Sequence, residues 1–233
     1  MLRKISFTSS ILFLFTTSSH AGFYLGASVG PEGAAFSQRS HVVGQGNGAL
    51  NFNVIATNHF SGTGVFGSLF GGYAWIHHQY YLAGELNGNI SSLQYNLIND
   101  EYVHQNFAKT YFRMRHSEGV SVLPGIFLSE TTLFYGRIGY SNGHLKIVEG
   151  ADPSIQNFNR NLPGIRYGVG VRKHLSPRWS VMMDYSQINY RHVHSFTFDP
   201  NGMVAKNTNI TPNTAQLGLG IIYRFDQPEV YDK

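Results

Sequence analysis

The stretch Thr214-Ala-Gln-Leu-Gly-Leu-Gly-Ile-Ile-Tyr-Arg-Phe225 alternates in character along its length. In an extended strand successive side chains point to opposite faces. Ala215, Leu217, Leu219, Ile221, Tyr223 and Phe225 therefore share one face, and Gln216, Gly218, Gly220, Ile222 and Arg224 share the other. The first face is an unbroken apolar wall, while the second is mostly small or polar. A strand of this kind lies between two different surroundings.

The same period of two recurs along the chain. Near the start Phe23, Leu25, Ala27 and Val29 alternate with Tyr24, Gly26, Ser28 and Gly30. Six further blocks read as strands: Thr63 to Trp75, Gln79 to Ser91, Arg113 to Phe127, Thr132 to Ser141, Gly164 to His174 and Arg178 to Asn189. No apolar run after Ala21 approaches the eighteen residues or so that a spanning helix needs. Asn51 to Thr57 alternates weakly as well, so ten strands stay open beside eight.

The connections are more telling than the strands. Ile76 to His78, Leu128 to Thr131 and Leu175 to Pro177 are tight, whereas Pro31 to Gly62, Ser92 to Phe112, Asn142 to Pro163 and Tyr190 to Asn213 are long and rich in Gly, Asn, Ser and Pro. They run long, short, long, short, long, short, long, so every tight turn falls at one end of the array. A barrel threaded through a bilayer has this asymmetry, and a soluble sandwich has no reason for it. Which face is charged points the same way. A soluble barrel shows a hydrophilic exterior, but here the non-apolar face is mainly glycine, serine and isolated charges, as a narrow lumen requires. Aromatic residues gather beside the tight turns, at Tyr73, Trp75, Tyr80, Phe127, Phe134, Trp179, Tyr223 and Phe225, the depth that amphipathic rings favour.

Composition agrees. Of 233 residues only 13% are charged and 14% are aromatic, too many rings for a disordered chain. The absence of cysteine excludes disulfides, thiolate metal sites, a cysteine nucleophile and a lipidated N-terminal cysteine. Arg3 and Lys4, the apolar run Ile11 to Phe15, and Ser19-His20-Ala21 have the order of an export signal, so residues 1–21 are expected to be removed before Gly22. What remains has 15 basic and 13 acidic residues, too small an excess to argue for nucleic acid or acidic lipid as a partner.

The signal, the eight alternating strands, the uneven connections and the ending Tyr223-Arg224-Phe225 resemble the small outer-membrane β-barrels of Gram-negative bacteria, of the OmpA-transmembrane and opacity-protein type. The resemblance implies an all-β fold: an eight-stranded antiparallel up-and-down transmembrane barrel over residues 22–225, with short periplasmic turns, long extracellular loops and a short periplasmic tail at 226–233. It implies location in the outer membrane, contact with its lipid and lipopolysaccharide, and no cofactor. Tyr223 and Phe225 resemble the signal read by the barrel-assembly machinery. Asp226 to Lys233 following Phe225, and Gly218 where the family often has a large polar residue, depart from its pattern.

The lumen face carries the candidate site. Glu85, Arg137 and Asp184 point inward five or six residues above their turns, at roughly 14 Å depth for 3.3 Å per residue and a 45° tilt. Charges at one depth in a narrow lumen should pair, so Arg137 is expected to bridge the two carboxylates, with Arg166, Arg172 and Arg224 at other levels. Such a layer is either a polar plug or the gate of a narrow small-solute channel. No catalytic or metal site is expected. His194 and Ser195 are adjacent, as are His116, Ser117 and Glu118, so neither group is a same-strand dyad, and His192 with His194 or His77 with His78 lacks a completing ligand. A lipid-modifying enzyme would need a Ser and His pair formed between strands. Pro124 and Glu118 fall on the lipid-facing phase, which requires a bulge for the first and the outer interface for the second. The resemblance implies that the remaining function lies in the loops, as adhesin-like contact with host or surface proteins or with lipopolysaccharide, with Phe36, Phe52, Phe60, Tyr95, Tyr102, Phe107, Phe158, Phe196 and Phe198 as aromatic anchors to test.

Overall fold

A computed structural model describes residues 20–44, 51–98, 109–149, 158–199 and 203–225. They form strands β1 (His20–Gly44), β2 (Phe52–His77), β3 (Tyr80–Ser91), β4 (Gln94–Ile98), β5 (Lys109–Ser129), β6 (Thr132–Glu149), β7 (Phe158–His174), β8 (Trp179–Tyr190), β9 (Val193–Asp199) and β10 (Val204–Arg224). Neighbouring strands are antiparallel, and β1 pairs with β10 to close the ring. The ten strands make eight staves, because β3 and β4 run end to end along β5, while β8 and β9 do the same along β10. The stretch Asn51 to Thr57 forms no extra hairpin: from Phe52 it is the outer continuation of β2, paired with β1.

The tight connections occur at His78–Gln79, Glu130–Thr131 and Leu175–Arg178. His78 adopts a positive φ of 52°, the left-handed conformation that lets the first turn close in two residues. The opposite end corrects the sequence reading. Much of the four stretches expected as long loops is strand: β1 runs on to Gly44, β2 begins at Phe52, β6 reaches Glu149 and β10 begins at Val204. The joining residues 45–50, 99–108, 150–157 and 200–202 lie outside the described ones, as do 1–19, which hold most of the expected leader, and the expected tail 226–233. The ladder itself begins at His20, opposite Ile76, ahead of the expected cleavage point.

Outward apolar residues form a band from the aromatic residues near the turns up to Val29, Val65, Ile90, Val120, Tyr140, Ile165, Tyr185 and Leu217. On β3 it runs from Tyr80 to Ile90, about 25 Å along the membrane normal at a 45° tilt, the height of the apolar girdle of an outer-membrane barrel. The 25 residues of β1 span about 60 Å on the same reckoning, so the wall rises some 35 Å past the band. Phe23, Tyr73 and Trp75 meet edge to face at the lower rim, as do Trp179, Tyr223 and Phe225. Phe127 instead packs against Tyr81 and His174 beside a register shift at Phe127/Ser129. Pro124 is outward but at no bulge: β5–β6 pairing lapses at Leu123 and Pro124, and the register is the same on either side.

Above the band the closed ring divides. Among the described residues β4 pairs only with β5 and β9 only with β10, while the outer parts of β2 and β7 each have one ladder neighbour. The outer half is thus two four-stranded sheets, β2–β1–β10–β9 and β4–β5–β6–β7. Their seams start where Ser92 N donates to Val65 O and Arg191 N to Pro163 O. Phe36, Leu93, Phe112, Met114, Leu145, Leu162, Ile188 and Ile210 fill the space between the sheets.

Candidate functional site

The period of two brings the inward residues of the closed half into a narrow lumen. Arg137, only 3% exposed, donates through Nη1 to Glu85 Oε1 at 2.7 Å and through Nε to Asp184 Oδ2 at 3.1 Å. Arg172 belongs to the same cluster, not to a separate level: its Nη2 donates to Glu85 Oε2 at 2.9 Å. The stagger of strands in a barrel and the length of the side chain let it reach a carboxylate from a different rung. Two cations and two carboxylates make the layer neutral, which is what a buried set of charges requires.

Three tyrosines that sequence reasoning did not assign complete it. Tyr24 Oη donates to Glu85 Oε2 at 2.9 Å, Tyr135 Oη donates to Asp184 Oδ2 at 2.8 Å, and Arg172 Nη1 donates to Tyr81 Oη at 2.7 Å. The Arg172 guanidinium lies 4.8 Å from the ring centres of both Tyr24 and Tyr135, a cation–π arrangement. Glycine makes the room: a Cβ at Gly170 would stand 2.3 Å from the Tyr135 ring, and one at Gly72 would stand 2.5 Å from the Tyr24 hydroxyl. The signal for these tyrosines was their inward phase next to glycines, which alternation alone does not mark as functional.

A second tier lies above. Arg166 donates to Ser186 Oγ at 2.9 Å and to Gln216 Oε1 at 3.4 Å, and Gln216 Nε2 donates to Glu32 Oε1 at 2.8 Å. Glu32, buried at 3% and also accepting from Ser91, falls in a stretch expected as loop. Arg224 is half-buried at the turn end, with no ion pair among the described residues. The cavity left beside the charge layer, bordered by Asn87, Arg137, Arg166 and Asp184, is about 10 Å³, the room one water centre needs.

The expected aromatic anchors separate by place. Phe36 is buried and stacks with Phe60 at 5.3 Å, so both belong to the outer core and not to a loop surface. Phe196 and Phe198 are exposed on β9. Tyr102 and Phe107 lie outside the described residues, as do the side chains of Phe52, Tyr95 and Phe158. Tyr223 and Phe225 pack on each other at the last rung, where Phe225 N donates to Phe23 O at 3.1 Å.

Histidines bear on catalysis and metal binding. His192 and His194 have ring centres 5.1 Å apart, His77 and His78 4.4 Å, and no group of three or more His, Cys, Asp or Glu suited to a metal occurs among the described residues. Strand pairing does bring a Ser and a His together: the His174 Nδ1 to Ser180 Oγ distance is 2.6 Å. Ser180 is buried, and among the described residues His174 Nε2 has no partner to orient the imidazole as a nucleophile's base requires.

A family model for the outer membrane protein beta-barrel domain matches residues 12–225, nearly the whole chain. The chain belongs to this family of outer-membrane barrels. Its turn end is therefore periplasmic and its tall end outward, with the apolar band in the membrane between them. A search of curated protein sequences finds no match. Among solved structures, the outer membrane protein OprG from Pseudomonas aeruginosa is similar at TM-score 0.56 and 11% identity, over 88% of this chain and 96% of that one. Neisserial surface protein A aligns at 0.45 and 14%, over 89% and 99%. Ail, the attachment invasion locus protein of Yersinia pestis, solved with the heparin analogue sucrose octasulfate, aligns at 0.35 and 17%, over 86% and 99%. At such identities the likeness is one of fold.

Proposed function

We propose that this barrel is a plugged membrane anchor that holds a β-walled platform above the outer-membrane surface for adhesin-like contact with host or surface proteins. The observation that carries the reading is the neutral Glu85–Arg137–Asp184–Arg172 layer, beside which the bordering cavity has room for about one water centre. A lumen so filled passes no solute while those pairs hold. The platform supplies the contact surface, with Phe196 and Phe198 exposed on an edge strand. Residues 1–21 act as the cleaved export signal, and Tyr223 with Phe225 as the mark read by the assembly machinery.

A second reading, a narrow small-solute channel, has one observation in its favour. Both amide atoms of Asn87 and Arg166 Nη1 border the central cavity with no hydrogen-bond partner, which suits a hydrated path if the charge layer rearranges. Single-channel recording of refolded protein in a planar bilayer separates the two. The plugged reading predicts a silent bilayer from wild type and openings only once Arg137 is removed. Discrete ion-selective openings from wild type would make the layer a gate and the protein a pore.

A further inference from the structure

On six staves the first outward residue above the apolar band is uncharged: Pro31, Thr63, Ser92, Pro163, Gln187 or Ala215. The next outward residue on each is uncharged again. Strands β5 and β6 differ. Above Val120 and Tyr140 come Glu118 and Asn142, then Arg115, His116 and His144, then Arg113 directly opposite Lys146. At about 5 Å of height per pair of residues these side chains start roughly 5 to 14 Å above the band, the depth of lipid headgroups for arginines and lysines that snorkel.

Two local features concentrate cations there. The register shift between Met114 and Ser117 leaves Arg115 and His116 both exposed, so one extra basic side chain joins the outer surface. Arg113 and Lys146 are cross-strand partners, and like charges in that relation repel. Arg113 donates to the neutral Gln94 Oε1 at 3.1 Å, and among the described residues no carboxylate pairs with Arg113, Arg115 or Lys146. The patch's own acid, Glu118, is already held by Asn142 Nδ2 at 2.7 Å and His144 at 3.2 Å. Cations at this height thus gather on β5–β6, where three lie together; Arg160 on the neighbouring β7 and the lone Arg191 past β8 are also exposed there.

We infer that the outer face of β5–β6 binds the phosphate groups of outer-leaflet lipid headgroups, with Arg113, Arg115 and Lys146 supplying the charge. An anion between Arg113 and Lys146 turns their repulsion into two attractions. The inference rests on the band marking the bilayer and adds a lipid partner to the platform proposed above.

The test reconstitutes refolded protein in nanodiscs of phosphatidylcholine mixed with diphosphoryl lipid A. The lipid retained on extraction into mild detergent is then measured. Wild type should enrich lipid A over phosphatidylcholine, and R113A/R115A/K146A should lose that enrichment on the order of a hundredfold, at about 1 kcal/mol for each of the three basic residues. R39A/R191A, which removes cations from other staves, should retain it. Folding is checked by the heat-dependent shift of the gel band, and R115Q/K146Q, confined to side chains outside the lumen, serves if the triple variant does not fold. Equal retention by wild type and variant, or equal retention of dephosphorylated lipid A, overturns the inference. Inorganic phosphate raising the unfolding temperature in pure phosphatidylcholine discs as much as lipid A does would place the ligand in solution and overturn the lipid assignment. Conductance plays no part in the readout. A barrel that conducts yet enriches lipid A defeats only the plugged reading, and a silent barrel without enrichment defeats only this one.

Discussion

The same strands build two opposite materials. In the membrane half, β1 turns Phe23, Leu25 and Val29 outward and keeps Tyr24, Ser28 and Glu32 inside; in the outer half it turns Ser37 and Arg39 outward and buries Phe36. The pleat continues without a break, so what reverses is the chemistry assigned to each face. Below, a charged layer lies inside an apolar girdle. Above, an apolar core lies between two polar-faced sheets. The difference shows that the surrounding medium, lipid or water, sets the sequence of each half, while barrel geometry sets only the alternation.

The largest expected effect is in the membrane half. Arg137→Met leaves Glu85 and Asp184 facing each other without their shared cation, and should lower unfolding free energy by about 3–5 kcal/mol in denaturant titrations of the refolded barrel. A loss under 1 kcal/mol would mean that water, not Arg137, neutralises the layer.

A matched pair of substitutions sets the two halves side by side. Leu219→Arg and Phe196→Arg both place a cation on the outward face. The first lies within the band and should cost about 2–4 kcal/mol, while the second lies above it and should cost no more than about 0.5 kcal/mol. Equal losses would erase the boundary drawn between the halves.

Gly170→Ala sharpens the account of the plug. Its Cβ would stand 2.3 Å from the Tyr135 ring, forcing the hydroxyl off Asp184, with an expected loss of about 1–3 kcal/mol. Gly84→Ala, where nothing lies within 4 Å, is the control and should be nearly silent.

How far these halves were legible follows from the same reversal. In the membrane half, outward Leu219 and Ile221 beside inward Gly218 and Gly220 made both the faces and the strand limits readable. The phase of Glu85, Arg137 and Asp184 put them on the lumen side. From Val29, outward, to Phe36, inward, the apolar residues exchange faces seven positions apart. A pattern keyed to apolar side chains slips phase at such a point and reads the Gly-, Ser- and Asn-rich continuation as loop. Glu32 and Phe36 went unrecognised as lumen residues for that reason. Arg172's place beside Glu85 depends on stagger between strands distant in sequence, which no single strand encodes.

The smallest effect is electrostatic and sits at the boundary. Asn142's side-chain amide, helped by His144, holds the Glu118 carboxyl below its ordinary value of 4.5. A depressed carboxyl stabilises the fold above that value, and the contribution fades as pH falls through the lowered one. Asn142→Ala should move the Glu118 titration back up, followed by NMR, with little change in stability because the group is exposed and screened.

One continuous wall stands in lipid below and in water above. Single cysteines along the outward face of β10, at 207, 209, 211, 213, 217, 219 and 221, carrying a fluorophore in reconstituted protein, test it most directly. Quenching by a lipid-attached quencher should be strong at 217, 219 and 221 and absent at 207, 209 and 211, with a water-soluble quencher giving the reverse order. Uniform lipid quenching along the strand, or aqueous quenching reaching 219, would contradict it.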